Sequence, residues 1–291
     1  MRLPHMMLVT LMLASCLRVP VSSVDVKTGT AAVNGTKLYY EIRGSGDPVV
    51  LLEGGQLDRR LWDDQFEVFA RFYRVVRMDV RGFGKSADVS GPYQSHDDLH
   101  GLLEALGIPG AHLVGLSLGG RIAIDFALTY PNMVSSLVLV GPGLSGFPWS
   151  DTKYEWSERI NKAMAMHDTT AAVDAWLESD YMKPAATNSR TRDRVRALAL
   201  ANARVWLQPD AERPLSPPAY PRVAEIRTPT LVLVGSIDNA DIHRIVSHLI
   251  AGIRGAQKVV FEGAGHLPNI EQPDEFNRVV LDFLSQVKKG Q

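Results

Sequence analysis

Cysteine and net charge are what this sequence has least of. Among its 291 residues the only cysteine is Cys16, and the formal net charge is -1. A single thiol excludes an intrachain disulfide and argues against a thiolate metal site or a cysteine nucleophile. The near balance of charge provides no basic field for a nucleic acid or an anionic membrane surface. What remains is ordinary globular composition, 45% hydrophobic and 22% charged, with length for one large core plus an insertion.

Long apolar runs are also scarce. The run Met6–Ala14 is too short to span a bilayer, and Arg2 precedes it. This pattern predicts an export signal over residues 1–23, although an unprocessed extension remains the alternative. The signal has two candidate ends: residues 13–16 (LASC) resemble the bacterial lipoprotein box, in which the cysteine receives a lipid, and residues 21–23 (VSS) suit ordinary cleavage. We therefore expect an exported protein that contacts a membrane only through a lipid on Cys16.

Short apolar runs alternate with helical patterns in two stretches, residues 25–141 and 222–288. Asn34-Gly35 between two strand patterns predicts a hairpin, and the continuous apolar run Pro48–Leu52 is typical of a strand buried on both faces. The alternation predicts an α/β fold with a mostly parallel sheet covered by helices on both faces. Residues 142–221 interrupt it with helices and loops, which predicts a helical cap over the carboxyl ends of the strands, where such sheets bind ligands.

The pattern G-x-S-x-G occurs at residues 115–119, between an apolar strand pattern and a helical pattern. A strand that turns sharply into a helix around this pattern is typical of a nucleophile elbow, which exposes the serine hydroxyl above the sheet. The alternative is a glycine-rich turn in which Ser117 merely caps the helix.

A serine nucleophile needs a base and a carboxylate that orients the base. His266 follows a strand pattern in the small-residue segment Gly263–Leu267, and Asp238 follows the strand pattern before it. Asp241, three residues further on, is the second candidate for the carboxylate. The chain order Ser117, Asp238, His266, each after a strand, is the order found in α/β-hydrolases.

On these motifs the chain resembles the α/β-hydrolase superfamily over nearly all of residues 25–287. The segment Asp79–Gly141 is similar to 3-oxoadipate enol-lactonases and related small esterases. The residues that carry the resemblance are D-x-R-G-x-G-x-S at 79–86, G-L-S-L-G-G at 115–120 and G-x-G-H at 263–266. C–C bond hydrolases and perhydrolases share much of this motif set. By the same resemblance, a serine at residue 117 excludes the halide and epoxide branches, which use an aspartate.

The resemblance implies acyl transfer to Ser117 from a small-molecule ester or lactone, without a metal or an organic cofactor. The backbone N–H groups of Leu118 and of a residue after the strand Pro48–Leu52 are expected to bind the oxyanion. By resemblance that second donor is Gly55, and its neighbour Gln56 is a candidate substrate contact. The cap tryptophans Trp149, Trp156 and Trp176 are further candidates for an apolar acyl pocket, although packing of the cap is the alternative role.

One residue departs from the family pattern. Relatives usually carry His-Gly where this chain has Glu53-Gly54. A charged Glu53 would oppose the negative charge that develops in the oxyanion hole, unless burial keeps it protonated or an arginine pairs with it. Arg59, Arg60 and Arg81 are the candidate partners. The substitution is thus either a neutral change in a supporting loop or a cause of reduced or redirected catalysis.

Two other functions remain open at this point. A C–C bond hydrolase or a cofactor-free perhydrolase would use the same three residues. A ligand-binding or receptor-like protein of the same fold would retain them without turnover, and Glu53 gives that alternative some weight.

Overall fold

The computed structural model describes residues 25–150 and 155–290. The expected export segment, with Cys16, lies outside these residues, so export and lipidation stay predictions. In the described ranges no helix has the length and apolar character needed to cross a membrane.

An eight-stranded sheet forms the centre of the molecule, in the spatial order β1-β2-β4-β3-β5-β6-β7-β8. Strands β1 and β2 are antiparallel to each other, β2 is antiparallel to β4, and the pairs from β4 to β8 are parallel. The strands are β1 Lys27–Val33, β2 Thr36–Arg43, β3 Pro48–Leu52, β4 Arg74–Met78, β5 Ala111–Leu116, β6 Val134–Val140, β7 Thr230–Gly235 and β8 Gln257–Phe261.

Helices cover both faces of this sheet. The α-helices of the described residues are α1 Asp63–Phe69, α2 Ser95–Ala105, α3 Leu118–Thr129, α4 Glu155–Ala165, α5 Thr169–Leu177, α6 Ser189–Asn202, α7 Ala240–Gly252, α8 Pro268–Glu271 and α9 Pro273–Gly290. Side chains of α1 and α9 belong to one hydrophobic core, and those of α2, α3 and α7 belong to the other.

Strand β3 shows why the sheet has two cores. Val49 and Leu51 belong to the core with α1 and α9, whereas Val50 and Leu52 belong to the core with α2, α3 and α7. Successive side chains of a strand point to opposite faces, so a strand covered on both faces must be apolar at every position. The continuous apolar run in the sequence has this cause, and the predicted mostly parallel sheet is confirmed.

The hairpin between β1 and β2 turns at Asn34 and Gly35. Their φ angles are 46° and 72°, in the left-handed region that a two-residue type I′ turn requires. Asparagine and glycine tolerate this region best, which is why this dipeptide predicts the hairpin from sequence alone.

The described residues between β6 and β7 contain α4, α5 and α6, and several of them line a cavity together with Ser117; we refer to residues 142–221 as the cap. Its second half is attached to the loop of residues 79–89, which follows β4. Asn202 accepts a hydrogen bond from Gly84 N at 2.7 Å, and Arg204 Nη2 donates to Gly84 O at 3.0 Å. Gln208 donates to Gly82 O at 2.9 Å and accepts from Val89 N at 2.8 Å.

The start of α3 lies so close to β5 that residue 115 has no room for a side chain. A Cβ atom at Gly115 would overlap the carbonyl oxygen of Gly119 and lie 2.7 Å from Gly120 N. These atoms belong to the backbone of the tight strand-to-helix turn, so they cannot move aside cheaply.

We predict that Gly115→Ala lowers the free energy of unfolding by about 1–3 kcal/mol or more, because it overpacks backbone against backbone. Urea unfolding followed by circular dichroism measures this change. Gly91→Ala is the control, since a Cβ there meets nothing within 4 Å. Equal stability of the two variants would contradict the close approach described here.

Candidate active site

Ser117 lies at the sharp turn between β5 and α3. Its φ and ψ are 52° and -106°, a combination that is rare for a residue with a side chain, and the hydroxyl makes no hydrogen bond that caps α3. Three backbone hydrogen bonds hold this conformation: Ser117 N donates to Val140 O at 2.9 Å, and Ser117 O accepts from Arg121 N at 3.0 Å and from Gly143 N at 2.9 Å. The geometry is that of a nucleophile elbow rather than that of an ordinary helix cap.

His266 and Asp238 form a buried pair beside this turn. His266 Nδ1 lies 3.0 and 2.9 Å from the two carboxylate oxygens of Asp238. The other ring nitrogen, Nε2, is thereby left for a second partner, and His266 lines the same cavity as Ser117. Asp241, the second candidate for the carboxylate, instead accepts hydrogen bonds from Ser150 and forms an ion pair with Arg244 at 2.7 Å.

Residue 141 lacks a side chain where the pair packs against the sheet. A Cβ at Gly141 would lie 3.1 Å from Asp238 Oδ2 and 3.1 Å from the ring of His266. Its φ of 45° also lies in the left-handed region. The absence of a side chain at residue 141 therefore leaves room for the imidazole of His266 and the carboxylate of Asp238 at the end of β6.

A carboxylate that the sequence analysis did not single out holds the loop of His266. Glu271 accepts hydrogen bonds from Gly265 N at 2.9 Å and from Leu267 N at 3.0 Å, the two residues that flank the histidine. Burial raises the pKa of Glu271, although both backbone donors favour its charged form. The sequence signal for this role was a glutamate five residues after the histidine. That signal is weak, because the spacing alone does not indicate which groups the glutamate contacts.

The loop after β3 lies against the elbow. Gly119 N donates to Glu53 O at 2.9 Å, and a Cβ at Gly54 would lie 3.7 Å from that of Ser117. Gly55, Gln56 and the first residue of α3, Leu118, all line the cavity. The first N–H groups of a helix have no partner within the helix, so the N–H of Leu118 is available to an oxygen placed above Ser117.

Glu53 is completely buried, and its carboxyl group accepts one hydrogen bond, from Val80 N to Oε1 at 2.5 Å. Its other oxygen, Oε2, has no partner among the residues that the structure describes. Burial, and next the nearby charge of Asp79, raise the pKa of Glu53 well above its usual range. Both effects favour the neutral, protonated form of the Glu53 carboxyl group.

None of the three arginines considered from the sequence forms a described ion pair with Glu53, so of the two alternatives, burial and an ion pair, the structure shows burial. Each has another carboxylate partner at 2.6–2.8 Å: Arg59 pairs with Glu41 and Asp79, Arg60 with Asp58, and Arg81 with Asp98. Burial, rather than an ion pair, is therefore what disfavours a negative charge on Glu53 next to the elbow.

A cavity of about 510 Å³ opens above the elbow, between the sheet and the cap. Aromatic side chains of the cap line it: Trp149, Trp156, Trp176, Tyr181 and Trp206. The ring of Tyr181 meets the imidazole of His266 edge to face, with 5.6 Å between centroids. Trp149, Trp156, Trp176 and Gln56 thus reach the cavity, and so does Trp206, the other tryptophan of the cap.

Polar side chains also line this cavity. Arg121, one turn along α3 from Ser117, and Ser145 both line it. Arg121 Nη2 donates to both carboxylate oxygens of Glu212 in the cap, at 2.8 and 2.7 Å. Ser145 Oγ donates to Asp125 Oδ2 at 2.6 Å. The sequence analysis missed this network because residues from α3 and from the end of the cap meet only in the fold.

No group of three or more His, Cys, Asp or Glu side chains in the described ranges is arranged to hold a metal ion. The polar groups around Ser117 are instead a hydroxyl, an imidazole, a carboxylate and backbone N–H groups, which are the elements of acyl-transfer chemistry.

The fold and this site define a hydrolase with a serine at the elbow. The model of the Alpha/beta hydrolase family matches residues 49–279. The chain belongs to that family, and the predicted fold and class of enzyme are confirmed.

Two curated relatives come from Comamonas testosteroni. Its 2-hydroxy-6-oxo-6-phenylhexa-2,4-dienoate hydrolase is 31% identical over 86% of this chain and 91% of that protein. Its 2-hydroxy-6-oxononadienedioate/2-hydroxy-6-oxononatrienedioate hydrolase is 29% identical over 91% of this chain and 96% of that protein. Among solved structures, the enol-lactonase from Burkholderia xenovorans LB400 is similar with a TM-score of 0.71 and 28% identity, covering 88% of this chain and all of that one.

We predict that Glu53→Gln makes the stability less dependent on pH. The pKa of Glu53 is raised by folding, so its contribution to stability is full below the usual carboxyl pKa and is lost as the pH rises toward the folded value. A glutamine does not titrate, so this loss of stability is absent in the variant. The decrease in the free energy of unfolding with pH above pH 5 should therefore become smaller by up to about 1.4 kcal/mol per pH unit. Urea unfolding between pH 5 and pH 9 measures the slope.

The control is Glu67→Gln, since Glu67 is an exposed partner of Arg43. This variant should keep the wild-type slope. If Glu53→Gln also keeps it, Glu53 is not a buried neutral acid.

Proposed function

We propose that this protein hydrolyses small carboxylic esters or lactones through Ser117, His266 and Asp238. The observation that carries the proposal is that His266, hydrogen-bonded to Asp238, lines the same cavity as the serine of the elbow. Nucleophile, base and orienting carboxylate then follow β5, β8 and β7, so all three come from the carboxyl edge of the parallel strands, in the chain order of α/β-hydrolases.

In the first step Ser117 Oγ attacks the carbonyl carbon, and His266 Nε2 takes the hydroxyl proton. Asp238 accepts the Nδ1–H hydrogen bond and stabilises the imidazolium. The N–H groups of Leu118 and Gly55 stabilise the oxyanion, and each such donor contributes about 3 kcal/mol to the transition state.

The tetrahedral intermediate then collapses. The bond between the carbonyl carbon and the leaving oxygen breaks, and His266 returns its proton to that oxygen, so an alcohol leaves. A water molecule next gives a proton to His266 and attacks the acyl carbon. The acid product forms when Ser117 regains its proton. For a lactone, alcohol and acid are the two ends of one product.

The cap side of the cavity favours an apolar acyl or ring group. Trp156 and Tyr181 meet edge to face at 6.4 Å, and the ring of Tyr181 also contacts the imidazole of His266. Aromatic walls bury apolar area without losing hydrogen bonds. Trp149 and Trp176 extend this surface, and Gln56 adds a polar side chain beside the oxyanion loop.

A second candidate function is hydrolysis of a C–C bond. The two curated relatives from Comamonas testosteroni favour it, because both are named as hydrolases of oxo-dienoic or oxo-trienoic acids. The enol-lactonase from Burkholderia xenovorans LB400 instead favours a lactone. We also propose that the protein is exported; the support for this is the sequence pattern of residues 1–23 alone.

We predict that Ser117→Ala abolishes the burst of 4-nitrophenol from a short-chain 4-nitrophenyl ester. Loss of the nucleophile should lower kcat/KM by roughly 10⁶-fold, because only cavity binding and oxyanion stabilisation remain. Stopped-flow absorbance measures the burst. The control, Ser285→Ala, removes a hydroxyl from the outer helix α9 and should leave the burst intact. A wild-type protein without a Ser117-dependent burst would contradict the proposal and favour a binding protein.

We predict a higher kcat/KM, by at least about 10-fold, for 4-nitrophenyl butyrate and for a butyrolactone series than for 2-hydroxy-6-oxo-6-phenylhexa-2,4-dienoate. An oxygen leaving group takes its proton directly from His266, whereas a carbon leaving group needs an earlier proton transfer to carbon. Loss of the dienoate absorbance and release of nitrophenol or acid are the measurements. The reverse preference would make C–C hydrolysis the function.

A further inference from the structure

The polar side chains that line the cavity include one guanidinium group. Among the described residues that line the cavity, Arg121 is the one arginine or lysine. It lies on the first turn of α3, four residues after Ser117. A cation so close to the reacting serine would ordinarily attract a substrate that carries a carboxylate.

The charge of Arg121 is already matched by protein carboxylates. Both oxygens of Glu212 accept from its Nη2, and Nη1 lies 3.5 Å from Asp125 Oδ2. Burial alone would lower the pKa of Arg121, but Glu212 and then Asp125 raise it, so the guanidinium stays charged within the network. An entering carboxylate would share this cation with two others.

Glu212 is held in place from the core side. Ser95 Oγ donates to Glu212 Oε1 at 2.6 Å. The backbone on either side of Glu212 is bonded to Tyr93: Tyr93 N donates to Ala211 O at 3.2 Å, and Arg213 N donates to Tyr93 O at 2.7 Å. A bidentate carboxylate fixed by its own backbone and by a serine is not easily displaced by a ligand.

We propose that Glu212 is a specificity-determining residue that restricts the cavity to uncharged substrates by holding Arg121. The proposal rests on the proposed ester hydrolysis and deepens it, since the substrate class becomes neutral esters and lactones. An anionic substrate would lose its hydration in a largely apolar cavity and would find the only guanidinium described there already paired with the carboxylate of Glu212.

The test uses two 4-nitrophenyl esters of glutaric acid. The far end of the acyl chain is a free carboxylate in one and a primary carboxamide in the other, so that shape and hydrogen bonding are similar and charge differs. The measured quantity is the ratio of kcat/KM, anionic over neutral, after the uncatalysed rate is subtracted. We expect a ratio of about 0.1 or less for the wild type.

Glu212→Gln keeps the length of the side chain and releases the charge of Arg121. The ratio should rise at least about 10-fold, because the anionic ester gains an unmatched guanidinium. Adding Arg121→Met to Glu212→Gln should remove this gain. The matched control is Glu225→Gln, which also breaks an arginine–glutamate pair, with Arg222 at 2.9 Å, but there the arginine does not line the cavity, whereas Arg121 does. Its ratio should equal that of the wild type.

The outcomes separate this inference from the proposed function. If neither ester shows Ser117-dependent hydrolysis, ester hydrolysis fails. If the esters are hydrolysed but the anionic-to-neutral ratio of kcat/KM is the same in Glu212→Gln and Glu225→Gln, the proposed role of Glu212 is contradicted. If Glu212→Gln does not fold, as judged by circular dichroism, the wild-type ratio decides: a value near or above one overturns the proposal, and a value of about 0.1 or less supports it.

Discussion

The backbone hydrogen bond from Gly119 N to Glu53 O connects the two segments on which the site depends. One segment presents Ser117, and the other contains Gly55 and Gln56. The contact is possible only because no side chain intervenes: a Cβ at Gly119 would overlap the carbonyl group of Leu52. Hydrolysis by a serine needs nucleophile and oxyanion donors fixed to within a fraction of an ångström, and this backbone contact provides that rigidity.

Several features described above follow from this contact. Because the loop after β3 is pressed against α3, the side chain of Glu53 is directed into the interior and is buried there, where it receives a hydrogen bond from Val80 N. Burial in turn raises its pKa and so favours the uncharged form. A carboxyl group near an oxyanion is thus compatible with acyl transfer, and the departure from the His-Gly pattern does not by itself argue for a protein without activity.

The sequence predicted the sheet, its two covered faces and the residues at the ends of β5, β7 and β8, because these depend on local patterns: alternation, turn dipeptides and small residues around a nucleophile. Contacts between distant side chains were not predictable. The pair of Arg121 and Glu212, 91 residues apart, and the burial of Glu53 arise from how the cap and the loop after β4 pack. For the same reason the sequence could not decide between burial of Glu53 and an arginine partner; each of the three candidate guanidinium groups pairs with another carboxylate.

The attachment of the cap has a consequence for how such proteins diverge. Arg204 and Gln208 bind mainly to main-chain atoms of the loop of residues 79–89, at Gly82, Gly84, Ser86 and Val89. Carbonyl and amide groups are the same whichever amino acid provides them. Gly82 and Gly84 are fixed by their positive φ angles and by the lack of room for a Cβ, but at Ser86 and Val89 the side chain can change over evolutionary time while the hydrogen bonds to the cap persist. Substrate range can then evolve in the cap while the catalytic core stays unaltered.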